Sequence, residues 1–521
     1  MLNAVQQKGK TSNNRLPFIN PATGEEFGSI TTTTPEEVNQ AVSEMKATSA
    51  SWATKPLRER IKLMKELYQL LFDEIDQITA VITQDTGKPR QDALIEVFTS
   101  LNYFSTLLKK APRWLKDKKV STGLQFFKKA WIKQKPYGVV AVISPWNYPF
   151  ILTLNPILGA LISGNTVVVK GSEVTPAVEE YLEDLFNQIP ALKETIRFVY
   201  GDGSVGAALV NANPDLIYVT GSVETGRKIS QAAAKTLTPV VCELGGKDPM
   251  IVLADADIEA AARWGVWGAF SNSGQTCMSP ERVYVVESVY GPFIQAVQKE
   301  IQTLKVGYSF EPESKNNYGS MTFPRQLNIV TDQLEDALQK GANQLTGGSH
   351  QNLFFEPTLL TNITDEMLVM QEETFGPLLP VIKVKDEEEA IRLANDSPFG
   401  LSASVFGEDL TRAKKVAESL EVGTVNINDT LTHYGLPELP FGGVKQSGNG
   451  RSNGKAGLLE FTQPIGYVSG KPKSFDIATI IRSPGNYHFA KGAMLALLAP
   501  TFKQKWAGLK QLFKKKGQIA N

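Results

Sequence analysis

The sequence reads as an α/β protein, and two observations carry that reading. From Pro136 onward, short apolar runs rich in β-branched residues alternate with segments of helical spacing: Val139 to Ile143, Thr166 to Val169, Phe198 to Tyr200, Leu216 to Val219 and Val240 to Val241. Strands buried on both faces of a parallel sheet have this unbroken apolar texture, and the intervening helices imply βαβ units. The first four runs also end in polar or glycine residues, and in open parallel sheets ligands sit beyond the carboxyl ends of the strands. A chain of 521 residues exceeds one compact core, so two or three domains are expected.

Taken in order, the first 14 residues are polar and expected to fray. N-P-A-T-G-E from Asn20 is a turn cluster, and Thr34-Pro35-Glu36-Glu37 is a capping box with proline at the first helical position, predicting a helix through Ser43. Between residues 56 and 85, Ile61, Met64, Leu67, Leu70, Leu71, Ile75 and Ile78 recur at helical spacing, as core-facing surface helices do.

The first strand is followed by S-P-W-N-Y-P, which sets Trp146 and Asn147 between prolines, and the second ends in Lys170-Gly171-Ser172-Glu173. Gly201 to Gly206 after the third is a literal G-x-G-x-x-G, with Gly203 and Gly206 inside it and Glu224 18 residues further on. The fourth ends in Thr220-Gly221-Ser222 and leads to Gly226, where Ser222 and its neighbouring amides could meet a phosphate at a helix start. These residues leave both phosphate sites open. Further strands are read at Arg282 to Glu287, Leu378 to Val384 and Val422 to Asn428, and a helix at Asp386 to Asn395.

Composition bounds the rest. With 42% hydrophobic and 21% charged residues the chain is an ordinary soluble globular protein. Two cysteines cannot build a disulfide framework, and no charged segment followed by an apolar stretch opens the chain, so a cytoplasmic setting is expected. His350, His433 and His488 are too scattered for a zinc site, so no metal is expected; nor is a nucleic-acid partner. Net charge is zero but uneven: residues 471 to 521 hold ten basic residues and one acid, Asp476, giving +9, against −9 for the remainder.

The stretch Ser271 to Arg282, S-N-S-G-Q-T-C-M-S-P-E-R, carries Cys277. Flanked by Gly274 and Gln275, it reads as a mobile, accessible loop cysteine, whose thiolate is a nucleophile. By composition alone a lone cysteine is more often a buried small hydrophobe. Glu243 in C-E-L-G-G-K, a carboxylate ahead of two glycines, is a natural partner base and shifts that balance.

Seven motifs stand in order: P-W-N-Y-P, V-V-K-G-S-E, T-G-S-x-x-x-G, E-L-G-G-K, G-Q-T-C, E-E-T-F-G-P and P-F-G-G-x-K-x-S-G-x-G-R. With them the chain resembles the NAD(P)-dependent aldehyde dehydrogenases over about its first nine-tenths. The resemblance implies a Rossmann-like cofactor domain (15–112 and 137–244), an α/β catalytic domain (245–444) and a small β oligomerisation hairpin (113–136 and 461–470), leaving a basic tail (471–521). A homodimer or homotetramer follows.

The resemblance assigns the nucleophile to Cys277, oxyanion donors to the Asn147 side chain and the amide of Cys277, and activation of the hydrolytic water to Glu243. It assigns Lys170 and Glu173 to the adenosine ribose, Ser222 to the pyrophosphate, Glu373 to the nicotinamide ribose and Phe375 to the nicotinamide end; Trp146, Gly203, Gly206, Gly221 and Gly226 complete the cofactor set. Gly201 to Gly206 then serves close approach around the adenosine. A carboxylate at 173 favours NAD, although some relatives with that acid accept NADP as well. Gly171 and Asp248 depart from the usual proline and asparagine, which bears on cofactor positioning. The activity implied is oxidation of an aldehyde to the acid through a thiohemiacetal and a thioester; the alternatives are coenzyme A acylation and a catalytically idle, membrane-associated relative.

In the tail, Phe502, Trp506, Leu509 and Phe513 fall on one helical arc, with lysines at 503, 505, 510 and 514 to 516 alongside. Such a helix either lies on an anionic membrane or packs over the substrate entrance. Both alternatives, and the lack of an arginine cluster for a substrate carboxylate, point to an apolar aldehyde.

Overall fold

A computed structural model describes residues 14–123, 125, 127–470, 482 and 486–513. All but Asn14 of the 14 residues expected to fray, most of 471–485, Leu124 and the lysines at 514–516 lie outside the described residues. The chain divides into two compact units, Met1–Lys116 with Gln134–Gln463, and Asp117–Lys133 with Pro464–Asn521.

After the antiparallel pair Arg15–Ile19 and Glu26–Thr31 comes the helix Pro35–Thr54, whose Thr34 hydroxyl accepts from the Glu37 amide at 3.2 Å while the Glu37 carboxylate accepts from the Thr34 amide at 2.8 Å. It runs well past Ser43, because nothing in the sequence breaks it before Lys55-Pro56. Helices Leu57–Asp73, Ile75–Thr86 and Arg90–Trp114 follow, and their Met64, Leu67, Leu71, Ile78 and Phe104 join one buried core with Leu154, Leu158 and Val140.

That core backs a six-stranded sheet. Its spatial order is Gly448–Asn449, Val240–Leu244, Leu216–Gly221, Val139–Ile143, Thr166–Lys170, Ile196–Phe198, parallel throughout except for the short first strand. The chain builds outward from Val139–Ile143 on one side, then returns to its other side with Leu216–Gly221. This reversal leaves a crevice at the carboxyl ends of those two neighbouring strands. The third strand, expected at Phe198 to Tyr200, is Ile196–Phe198, and Tyr200 instead turns out to donate its hydroxyl to Glu183.

A second sheet runs Asn343–Gln344, Thr358–Thr361, Leu378–Val384, Pro280–Val286, Asp248–Val252, Ser402–Phe406, Thr424–Ile427, parallel from Thr358–Thr361 onward. Its central strands are buried over nearly every residue; two of them match the apolar runs expected at Arg282 to Glu287 and Leu378 to Val384, while Asp248–Val252 lies outside the strands read from the sequence. The helix expected from Asp386 is Glu387–Asn395, with Asp386 as its cap.

Strands Lys118–Val120, Lys128–Pro136 and Thr462–Gly470 form a three-stranded sheet in which Trp131 stacks on Tyr467 at 5.3 Å. Trp114, expected in the outgoing arm, instead ends the preceding helix. Helices Tyr487–Leu498 and Phe502–Phe513 close the described chain.

Candidate active site

Cys277 lies just before the strand Pro280–Val286, at the amino end of the second sheet. The loop leading to it leaves the helix Ile258–Phe270 through three consecutive residues with left-handed backbone, Asn272, Ser273 and Gly274 (φ 53°, 58° and 74°). Gly274 is required twice over: a Cβ there would come 2.3 Å from the backbone of Gly376 in E-T-F-G-P.

The loop is not mobile in the way its glycine suggests. Asn272 donates to the Asn147 carbonyl at 2.9 Å, and the Gln275 side chain donates to the Asn272 carbonyl at 2.9 Å while accepting from the Thr322 amide at 2.8 Å. Thr276 and Tyr148 share a 3.0 Å hydroxyl contact. Each side chain spans two segments, so the cysteine is held by a closed set of bonds.

Asn147 is 2% exposed. Its Nδ2 donates to the Gln275 carbonyl at 3.0 Å, which fixes the amide and leaves the second N–H uncommitted, while Oδ1 has no partner among the described residues. Glu243, in the last long strand of the first sheet, is buried with neither carboxylate oxygen hydrogen-bonded. Burial pushes its acid well above the usual range, against the opposing pull of Arg451 and Ser452 beside it. Gly442, from P-F-G-G, allows this proximity, since a Cβ there would stand 3.0 Å from Glu243 Oε1. The Cys277 residue is partly exposed, yet burial of its thiol, with Asp248, Glu373 and Glu243 nearby, pushes the thiol above its ordinary range. Both shifts favour the protonated forms, thiol and carboxylic acid.

Two buried ion pairs brace this arrangement. Lys88 Nζ binds Glu96 at 3.0 Å and the Asn147 carbonyl at 2.8 Å, while the other Glu96 oxygen accepts from the amides of Phe150 and Ile151 at the start of the helix Pro149–Ser163. Lys247 Nζ binds Glu281 at 2.7 Å and the Thr374 hydroxyl at 2.8 Å, and Glu281 accepts from the amides of Thr374 and Phe375 at 2.7 and 2.8 Å. Sequence reasoning assigned these four residues no role. The available signal was Lys88 in D-T-G-K-P, and Lys247 and Glu281 inside motifs already recognised.

One cavity of about 830 Å³ joins the parts. It is lined by Cys277, Asn147, Glu243, Trp146, Lys170, Glu173, Gly203, Gly206, Gly221, Ser222, Glu373 and Phe375. Gly226 is not among them: a Cβ there would meet Leu244 at 2.7 Å, so this glycine lets the helix Val223–Ala233 close on the sheet. Both glycine-rich strand ends, at Gly203 with Gly206 and at Gly221 with Ser222, reach the cavity. Lys170 pairs with Glu173 at 3.0 Å, and Ser222 caps the helix Val223–Ala233 through the Thr225 amide at 3.2 Å. Glu373 accepts from the Gly246 amide at 3.2 Å, with burial raising its acid to about 8. Trp146 meets Phe375 edge to face at 5.3 Å. Away from the nucleotide-type groups, the lining includes Tyr103, Leu152, Tyr218, Tyr434, Phe441 and Phe461, with the polar Asn155, Ser452 and Asn453 among them.

A cysteine facing a cavity beside an uncommitted amide donor and an unpaired carboxyl can carry covalent acyl chemistry. The aldehyde dehydrogenase family profile matches residues 8–465. The chain belongs to the aldehyde dehydrogenase family. It is 41% identical over 461 residues to a 4,4'-diapolycopene aldehyde oxidase of Methylomonas sp, covering 88% of this chain and 86% of that one. To a mitochondrial succinate-semialdehyde dehydrogenase of Oryza sativa subsp. japonica it is 35% identical, covering 87% and 85%. Among solved structures, a point mutant of betaine aldehyde dehydrogenase from Staphylococcus aureus in complex with NAD+ is similar with TM-score 0.84 at 31% identity, covering 89% and 95%.

Both departures from the aldehyde dehydrogenase pattern have local reasons. The Gly171 amide donates to buried Glu179 at 2.5 Å, a bond that proline, lacking an N–H, could not make. Asp248 accepts from the Ser402 amide and hydroxyl at 3.0 and 2.5 Å, and burial raises its acid to about 8, so at neutral pH it is largely the uncharged relative of an asparagine.

Proposed function

We propose that this aldehyde dehydrogenase oxidises an uncharged, extended apolar aldehyde to its carboxylic acid with NAD, through an acyl group held on Cys277. The observation that carries the reading is that Cys277, Asn147 and Glu243 line one cavity together with nucleotide-type groups and with the aromatic side chains of Tyr103, Tyr434, Phe441 and Phe461.

The residues present fit a nicotinamide dinucleotide. Lys170 and Glu173 offer a donor and an acceptor for ribose hydroxyls, and the charge of Glu173 repels a 2′-phosphate, which favours NAD over NADP. Side chains at Gly203, Gly206 or Gly221 would project into open space. When bound, the cofactor supplies the hydride acceptor.

Cys277 sulfur adds to the carbonyl carbon as the C=O pair moves to oxygen and the thiol proton leaves for water or an ionised Glu243. The free N–H of Asn147 and the Cys277 amide donate to that oxygen, where charge develops. Once hydride is lost a thioester remains. Glu243 takes a proton from the attacking water and Cys277 departs as thiolate, so the carboxyl works as a base only after water enters beside it and solvates its charge.

The cations lining the cavity are Lys170, Lys228 and Arg325, and the last two belong with the nucleotide side, Lys228 on the helix capped by Ser222 and Arg325 acting on Glu224 of that helix. Beyond these three, an aldehyde carrying a second carboxylate has no cation to meet among the residues lining the cavity. Succinate semialdehyde is such a substrate; a diapolycopene aldehyde is not. An aldehyde panel with NAD and NADP in parallel tests this. Decanal with NAD is expected to give the higher kcat/KM, and preference for succinate semialdehyde or for NADP overturns the corresponding part.

The three-stranded sheet ends in the exposed strand Lys118–Val120, an edge that a second copy would cover. Sedimentation is expected to return a dimer or tetramer.

A further inference from the structure

Helices Tyr487–Leu498 and Phe502–Phe513 form a hairpin beyond the family-matched residues 8–465, and their packing is inverted relative to a water-soluble helix pair. Two helices in water bury their large apolar side chains against each other. Here the closest approach in the seam is at glycines, with Leu495, Gln511 and Leu512 alongside. A Cβ on Gly508 would come 2.3 Å from the Ala496 amide and 2.7 Å from the Gly492 carbonyl, and a Cβ on Gly492 would come 3.1 Å from the Gly508 carbonyl. Both glycines are buried.

Most of the large apolar side chains point outward instead, with Leu495 and Leu512 half-buried. Phe502 is 82% exposed, Leu498 63% and Trp506 53%, with Leu497 and Met494 similarly open. Leu497, Leu498 and Phe502 flank the turn at 499–501, and Phe502 stacks on Trp506 at 6.4 Å, so the apolar groups gather at one end of the hairpin. Close backbone contact through small residues with large apolar groups outside is the packing that helices adopt in lipid, where burying those groups against each other gains nothing.

Charge selects the lipid. Residues 477 to 521 contain no acid, and Lys491, Lys503, Lys505 and Lys510 are all exposed on the hairpin. Lysines one or two positions from Phe502 and Trp506 can hold their charge at headgroup level while the apolar tip enters the acyl boundary. Each helix is 12 residues, about 18 Å long, against a hydrocarbon core of about 30 Å. Among the described residues no helix is long and apolar enough to cross a membrane. Helices of this length fit along one leaflet and are too short to span both.

We propose that the 487–513 hairpin is a docking surface for the headgroups of an anionic bilayer, inserted by its Leu497-Leu498-Phe502 tip. The surface stands independently of the substrate reading, because lipid binding and aldehyde oxidation are measured separately.

The test is flotation of the full chain with vesicles of phosphatidylcholine alone or mixed with phosphatidylglycerol, alongside turnover of propanal, a short soluble aldehyde, and circular-dichroism melting. Binding is expected only to the mixed vesicles and to weaken with salt. Lys503→Glu with Lys505→Glu and Lys510→Glu should lower it by about tenfold or more. Leu498→Ser with Phe502→Ser should also release the protein, with propanal turnover and melting unchanged in both variants. The proposal is overturned if the parent stays unbound with mixed vesicles, if both variants float as the parent does, or if their chief effect is a change in oligomer mass, which would make the hairpin a protein interface.

Discussion

Lys88 with Glu96 and Lys247 with Glu281 are buried as deeply as Asn147 and Glu243, but their bonding is opposite. Each ion pair has its carboxylate oxygens and ammonium engaged by backbone amides, carbonyls or hydroxyls of neighbouring segments. Glu243 engages neither oxygen, and Asn147 leaves Oδ1 and one N–H unused. A buried polar group without a partner destabilises the fold, and one that is fully bonded supports it. The difference separates the groups kept available for a reacting molecule from those that hold them in place.

If that division is right, variants of the unbonded set should lose rate without losing stability. Cys277→Ser is expected to lower turnover by about a thousandfold or more while leaving cofactor binding and melting temperature unchanged. Retention of most of the rate would remove the cysteine from the chemistry. Glu243→Gln should lower steady-state turnover by about 10²–10⁴-fold yet still release one equivalent of reduced cofactor in a burst, since only deacylation needs the base. A variant with no burst would put Glu243 in the earlier step.

The bonded set should behave in the reverse way. Lys247→Met strands the Glu281 carboxylate and is expected to cost about 3–5 kcal/mol in chemical denaturation. Adding Glu281→Gln should recover part of that loss; no recovery would mean that the pair contributes by packing alone.

The smallest effect concerns Asp248, whose acid is raised to about 8 by burial. Its folded value lies above its unfolded one, so the native state holds a proton that the unfolded chain has released. The associated stability is complete below about pH 4 and is lost as pH rises toward 8. Asp248→Asn is therefore expected to raise the melting temperature by on the order of a few degrees at pH 8 and to change little at pH 4. An equal shift at both pH values would contradict the assignment.

Much of this frame was legible beforehand. Unbroken apolar runs such as Val139 to Ile143 mark buried parallel strands because burial on both faces leaves no polar alternation, and their polar ends mark the crevice. Other features were out of reach. In the second sheet Cys277, Glu373 and Phe375 stand before their strands, at the amino ends, which a rule about carboxyl ends could not anticipate. Gly226 shares a motif with Ser222, but it packs on Leu244 because the helix turns it inward.

The sequence by itself determined the kind of protein: the order of its elements, the motifs of an aldehyde dehydrogenase, and the residue types available for covalent chemistry. The tertiary structure alone decided which of those residues share a cavity, which buried charges are paired, and that the 487–513 helices meet through glycines with most of their bulky apolar side chains outside. Local pattern reports what each segment can bury. Partners come from segments far apart in the chain, such as Asn147 with Gln275 or Lys247 with Glu281, and only folding brings them together.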